Sequence, residues 1–217
     1  SKYGEKWEIY FDLNDIEDEF LGLEYVKKVL HDFMTISFFH YNAVFDDIEL
    51  DSYHITPRGN TTTHLNSTMY IRRNAGVVLI DGAKKKIEKH LNNQVFIKKL
   101  NSCVHFKLYY QIENNEDSIV RFMFLYSLIA DLKGSQKQID DYIKSVKFDV
   151  KEYRSTNPRY KGVVMETEYT WLRNQLSHTN CDSDLLQFEK DIVSIVDALS
   201  YIVKGAITDI YELNLVQ

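Results

Sequence analysis

The segment SIVRFMFLYSLIADLKG, residues 118–134, decides the fold of the C-terminal half of the chain. Its apolar residues recur at the spacing of one helix face, at Phe122, Leu125, Leu128 and Leu132. Ser118 is a suitable N-terminal cap, and Lys133 followed by Gly134 is typical of a helix C-terminus. The segment therefore predicts one amphipathic helix with defined ends.

Helical spacing continues on both sides of this segment. Apolar residues follow a helical period in residues 96–110, in a helix that starts at Ser135, in residues 165–176, and in residues 185–206. The first of these helices is predicted to pass through Cys103 without a break, and the third carries Met165 on its apolar stripe. Short connections between five such helices predict an antiparallel helical bundle over residues 83–217.

Residues 1–82 show a mixed pattern that predicts an α+β module. Loose alternation over Lys6–Leu13 predicts a strand, and helical spacing predicts a helix over Asp15–Phe33. The β-branched and aromatic residues of Met34–Tyr41 favour a second strand. Two β-rich runs, 68–73 and 77–80, flank Asn74-Ala-Gly76 and predict a β-hairpin. The whole chain is thus predicted to be mainly α, with an N-terminal α+β module.

The composition is that of a globular protein, with 44% hydrophobic residues, 27% charged residues and a net charge of -6. This charge excludes a surface coated in positive charge, so a nucleic-acid contact requires a local basic patch. Cys103 and Cys181 show neither CxxC nor metal-ligand spacing, which predicts free thiols in a reducing cytoplasm. No signal peptide is evident at the start of the sequence, and the longest apolar run is about half a membrane span. We therefore expect a cytoplasmic protein that does not cross a membrane.

The segment Arg173-Asn-Gln-Leu-Ser-His178 combines a fixed cation with a group that titrates near neutral pH. In an ideal helix Arg173 and His178 lie roughly 140° apart around the axis, so they converge only if the helix ends or bends near Ser177. Such a pair suits RNA cleavage by the neighbouring 2′-hydroxyl. His178 would transfer protons, and Arg173 would stabilise charge on the phosphate. Asn174 would bind the ligand or orient the histidine, and neither a metal nor a cofactor is required.

A structural interpretation of the same segment remains open. Glu166 lies seven residues before Arg173, roughly on the same helix face, and could neutralise the guanidinium. His178 would then be a capping residue at the end of a helix. A single copy also supplies only one histidine, so separate acid and base roles favour two copies meeting across a two-fold axis.

A basic loop leads into this segment. Arg154, Arg159 and Lys161 give the surrounding residues an excess of cations inside an acidic chain. They could guide RNA phosphates, or they could be a solvated surface. Tyr153 and Tyr160 flank the loop and could stack on bases or pack against the protein.

Arg173-Asn-Gln-Leu-Ser-His178 resembles the R-x4-6-H motif of the HEPN superfamily, including the polar residue after the arginine. Residues 100–112 resemble the first HEPN helix, and residues 118–134 resemble the second. The resemblance covers about residues 94–210 and is greatest to the ApeA-like and MauJ-like branch. In that branch a less regular N-terminal region precedes the bundle.

The resemblance implies a helical bundle that forms a homodimer with one composite site. It also implies metal-independent endoribonuclease activity, often in toxin or anti-phage defence. Arg173 and His178 then inherit catalytic roles, and Asn174 a supporting one. The acidic residue common in the second helix falls on Ala130, with Asp131 next to it, so Asp131 is the candidate for that supporting carboxylate.

Three functional hypotheses follow. The first is an RNA-cleaving homodimer that uses Arg173 and His178. The second is a non-catalytic HEPN-like module that binds nucleotide or RNA or serves for dimerisation. The third is a purely structural interaction domain, which the long apolar stripe of the last helix favours.

Overall fold

The computed structural model describes residues 6–13, 19–54, 63–73, 81–155, 162–177 and 185–213. This part of the chain is mainly helical, which confirms the predicted class. It divides into two compact units, residues 1–101 and 102–217. None of the helices in the described ranges has the length and apolar character needed to cross a membrane.

The first unit combines a three-stranded antiparallel sheet with helices. Its elements are β1 (Lys6–Leu13), α1 (Glu19–Tyr41), β2 (Val44–His54), β3 (Thr63–Arg73), α2 (Asp81–Leu91) and α3 (Gln94–Ser102). β3 lies between β1 and β2 and pairs with both. The predicted strand Lys6–Leu13 is confirmed. The second strand of the predicted hairpin, 77–80, lies outside the described residues.

The predicted strand Met34–Tyr41 is wrong, because these residues form the last two turns of α1. Ile36, Phe38 and Phe39 are all buried there, so this part of the helix lacks the polar face that reveals a helical period. The ring of Phe39 contacts the ring of Phe96 in α3, with centroids 5.5 Å apart. Asn101 of α3 also donates to Asp32 of α1 at 3.0 Å. Because of such contacts, the predicted boundary after residue 82 falls inside the first unit.

The second unit is built around one central helix. Its elements are α4 (Val104–Glu113), α5 (Ser118–Lys133), α6 (Gln136–Val146), β4 (Glu152–Arg154), β5 (Met165–Thr167), α7 (Glu168–Ser177) and α8 (Leu185–Ile210). α5 contacts α4, α6, α7 and α8. The core is formed by fully buried residues on these helices, including Tyr109, Phe122, Leu125, Ile129, Ile143, Tyr169, Ile192 and Leu199.

The C-terminal end of α5 is as predicted, but its N-terminal cap lies one residue earlier than predicted. The N-terminal cap is Asp117 rather than Ser118, and its carboxylate accepts from the amides of Ile119 and Val120. Gly134 ends the helix with a φ of 90°, in the left-handed region that favours glycine. Ser135 then caps the start of α6, where a helix was expected to begin, and it forms a capping box with Gln138.

Two predicted helices are divided in the structure. The helix expected across Cys103 is two helices, because Cys103 has extended backbone between α3 and α4. The helix expected from residue 165 begins at Glu168 instead. Met165 lies in β5 and is exposed, so it is not part of the apolar stripe of α7.

Candidate functional site

A two-stranded ribbon positions the helix that carries Arg173. β4 and β5 pair antiparallel, and β5 continues directly into α7. The register places Tyr153 opposite Glu166, so both side chains lie on the same face of the ribbon. Thr167, the last residue of β5, accepts from the amide of Thr170 at 3.4 Å and so satisfies one free amide at the start of the helix.

Glu166 is the buried anchor of the site, with 1% of its surface exposed. Its Oε1 accepts a hydrogen bond from Nε2 of Gln136 at 2.9 Å and another from the hydroxyl of Ser155. Its Oε2 accepts from Nδ2 of Asn174 at 3.2 Å. Three donors therefore converge on one carboxyl group, which compensates for its removal from water.

Arg173 lies beside this anchor but is not neutralised by it. The guanidinium donates from Nη1 to Oδ1 of Asn174 at 3.0 Å, and its carbon lies 5.7 Å from the centre of the Tyr126 ring. Within the described ranges, no carboxylate forms an ion pair with Arg173. Glu166 instead fixes Asn174, which in turn fixes Arg173. The half-buried cation is thus oriented while keeping its charge available for an anion.

A buried polar network supports the Tyr126 ring. The Tyr126 hydroxyl contacts the Thr170 hydroxyl at 2.8 Å. The hydroxyls of Thr167 and Thr170 each donate to Oδ1 of Asp140 at 2.6 Å. Burial raises the pKa of Tyr126 to about 12 and also raises the pKa of Asp140. The Tyr126 hydroxyl is therefore neutral at physiological pH, which suits a positioning role for the ring.

Sequence reasoning missed Tyr126, Asp140, Gln136 and Ser155 as members of this site. Asp140 had a detectable signal, because it lies three residues before Ile143 on the buried face of α6. The others could not be found from local patterns, because the contacts that make them important join residues from 11 to 47 positions apart.

The predicted catalytic histidine, His178, lies outside the described residues. α7 ends at Ser177, whose hydroxyl donates to the backbone oxygen of Arg173 at 3.0 Å. Arg159, Tyr160 and Lys161 also lie outside the described residues, as does Cys181. Cys103 is a buried free thiol whose pKa is raised by burial.

Among the described residues, neither Arg154 nor Asp131 forms a hydrogen bond or an ion pair with Arg173. Arg154 is exposed on β4 and forms no ion pair with a described residue. The Oδ2 atom of Asp131 lies 2.7 Å from Nε2 of His105 on α4, within hydrogen-bond distance. Asp131 also lines a groove of about 360 Å³ between α4 and α5. It follows Tyr126 by five residues, which turns it about 140° away around the axis of α5. Asp131 therefore lies on another side of α5 from Tyr126, and its supporting role stays a prediction. The carboxylates in the buried network around Tyr126 and Asn174 are Asp140 on α6 and Glu166 on β5.

We compared the chain with protein-family models, with curated proteins and with solved structures, and none of them matches it. Any functional assignment therefore depends on the side chains described above. Among the described residues, no group of three or more His, Cys, Asp or Glu side chains is arranged to hold a metal ion.

Proposed function

We propose that the chain is a metal-independent endoribonuclease of the HEPN type, active as a homodimer. The observation that carries this proposal is the state of Arg173. Its guanidinium is held by Asn174 at 3.0 Å and has no carboxylate partner among the described residues. A guanidinium without a carboxylate partner keeps its full charge and its two parallel donors for an anionic ligand.

The chemistry assigns separate tasks to the residues of the motif. The 2′-hydroxyl of the RNA attacks the adjacent phosphorus, and the 5′-oxygen of the next nucleotide leaves. His178 accepts or donates a proton in this exchange, since an imidazole titrates near neutral pH. Arg173 donates to the non-bridging phosphate oxygens, where negative charge increases in the transition state.

A second copy of the chain completes the proposed site. One imidazole cannot remove the proton from the nucleophile and protonate the leaving group in the same step. Two copies of α7 related by a two-fold axis would supply two histidines and two arginines to one groove.

Variants of Arg173 test the proposal directly. Arg173→Ala should lower the cleavage rate by a factor of about 10²–10³, as expected for loss of one donor to a developing oxyanion. Arg173→Lys should recover only part of this loss, because an ammonium lacks the two parallel donors of a guanidinium. Lys107→Ala is a matched control, since it removes an exposed cation on α4.

The assay compares these variants on single-stranded RNA at neutral pH, with the fold of each checked by circular dichroism. Equal rates for Arg173→Ala and Lys107→Ala would contradict the proposal. Binding of RNA by the wild-type chain without any cleavage would instead favour a non-catalytic HEPN-like module.

A further inference from the structure

Two aromatic rings, one on the ribbon and one on α7, form a stack. Tyr153 of β4 and Trp171 of α7 lie with ring centroids 4.8 Å apart and planes 26° apart. Trp171 also contacts Phe188 of α8, with centroids 6.4 Å apart, so its ring is held between two neighbours. Tyr153 remains 39% exposed. Because Trp171 covers one face of the Tyr153 ring, the exposed part belongs to its other face and its edge.

The register of the ribbon connects this stack to the site. Tyr153 lies opposite Glu166, and Glu166 binds Asn174, whose side chain accepts from Arg173. On α7, Trp171 and Asn174 are three residues apart and therefore lie on neighbouring parts of one face. The ribbon and α7 thus connect Tyr153, through Glu166 and Asn174, to the side chains that orient Arg173.

The charges around the stack favour an anionic ligand. Two lysines of this region are neutralised, since Lys144 pairs with Glu152 and Lys147 pairs with Asp149. Lys151 precedes β4 and is exposed, and it forms no ion pair with a described residue. Lys151 thus provides an exposed positive charge two residues before Tyr153.

We propose that Tyr153 stacks on an unpaired base of single-stranded RNA and so extends the Trp171–Tyr153 stack by one ring. The base would belong to a nucleotide next to the phosphate that Arg173 contacts. Stacking on an exposed ring tolerates any base, but it requires that the base leave its own helix. This inference rests on the proposed function, and it adds that the substrate is single-stranded at the cleavage site.

Binding can be measured through Trp171 without cleavage. The chain has two tryptophans, Trp7 and Trp171, so Trp7→Phe leaves Trp171 as the single reporter. A short single-stranded oligonucleotide with 2′-O-methyl groups has no nucleophile and stays intact. We expect it to quench the fluorescence of Trp171, whereas the same sequence in a duplex should bind more weakly.

Substitutions of Tyr153 separate stacking from simple packing. Tyr153→Ala should weaken binding of the single strand by a factor of about 10–100, the range for loss of one base–aromatic stack. Tyr153→Phe keeps the ring and should bind like the wild type. Tyr153→Leu keeps an apolar contact with Trp171 but has no flat ring for a base, so it should bind RNA as weakly as Tyr153→Ala. Because this variant preserves the packing on Trp171, its loss of binding would not be due to misfolding.

The outcomes also distinguish this inference from the proposed function. Binding within about twofold of the wild type for both Tyr153→Ala and Tyr153→Leu would overturn the stacking proposal. So would an absence of any binding by the full chain. Binding that depends on Tyr153 would support the stacking proposal even if the chain cut no RNA. That result would contradict only the proposed nuclease activity.

Discussion

Removal of the Glu166 carboxylate tests whether the side chains around Arg173 form one connected unit. Glu166→Ala leaves three donors without their acceptor, from Gln136, Ser155 and Asn174. An unsatisfied buried donor costs about 1–3 kcal/mol. These three side chains are only partly buried, which favours the lower end of this range for each donor. We therefore expect a total loss of about 3–4 kcal/mol.

Glu166→Gln should be milder but more informative. The new amide keeps one oxygen for Gln136 and Ser155, but it presents a donor to the Nδ2 donor of Asn174. Asn174 must then rotate its amide, which turns Nδ2 towards the guanidinium of Arg173. We expect a stability loss of about 1–2 kcal/mol and a reduction of RNA cleavage by roughly 10–100-fold, because Arg173 loses its orientation.

The assay is urea unfolding at neutral pH, followed by circular dichroism and by tryptophan fluorescence. Glu152→Ala is the matched control, since it removes a partly exposed acid on the same ribbon that pairs with Lys144. The control should cost no more than about 1 kcal/mol. A loss below about 1 kcal/mol for Glu166→Ala would refute the idea of a shared anchor.

Three further predictions concern the stability of the second unit. Arg121 is buried between Glu113 at 2.8 Å and Asp197 at 3.1 Å, so Arg121→Ala should cost about 3–5 kcal/mol in chemical unfolding. Asp197→Ala should cost under about 1 kcal/mol, since Asp197 is 79% exposed, and equal losses would contradict this. Burial raises the pKa of Asp140 above its ordinary value of 3.8, so the native state holds this proton more tightly than the unfolded chain. The free energy of unfolding that Asp140 contributes therefore falls as pH rises from about 4 through the raised pKa. The urea midpoint of the wild type should decrease over this pH range, and Asp140→Asn should make that decrease smaller. An unchanged slope would show that Asp140 is not its source. Gly134→Ala should lower stability by about 1–3 kcal/mol in the same unfolding assay. A side chain at a φ of 90° is strained, and the added Cβ would lie 3.1 Å from a side-chain oxygen of α6. An unchanged stability would mean that the turn adjusts without strain.

The parts of the fold that the sequence predicted depend on local signals. The end of α5 and the start of α6 follow from Lys133-Gly134-Ser135, because a positive φ and a side-chain cap are properties of single residues. The long helix α8 follows from its sustained apolar repeat. Such signals are the same in any tertiary context.

The parts that the sequence did not predict depend on tertiary packing. The C-terminal half of α1 is buried on several sides around Phe38, so it has the composition of a strand and the structure of a helix. The break at Cys103 has neither a proline nor a glycine to mark it. The short strand β5 forms only because β4 provides a partner, and this shortens the predicted motif helix by three residues at its start.

In the candidate site, too, local signals were predictable from the sequence and tertiary contacts were not. Arg173, Asn174 and Glu166 could be selected from one short segment, but the role of Glu166 could not. Spacing suggested an ion pair with Arg173, whereas the ribbon directs Glu166 to Asn174. The Tyr126 ring next to Arg173 comes from another helix, 47 positions earlier in the chain, and only the fold brings the two together.

The chemistry of the RNA ends tests the central claim most directly. Wild-type chain and His178→Ala should be incubated with single-stranded RNA in EDTA, and the product ends should be identified by mass spectrometry. We expect 2′,3′-cyclic phosphate ends from the wild type, and none from His178→Ala. Cleavage that requires Mg²⁺, or cyclic phosphate ends that persist in His178→Ala, would contradict the assignment of Arg173 and His178 to a metal-independent ribonuclease site.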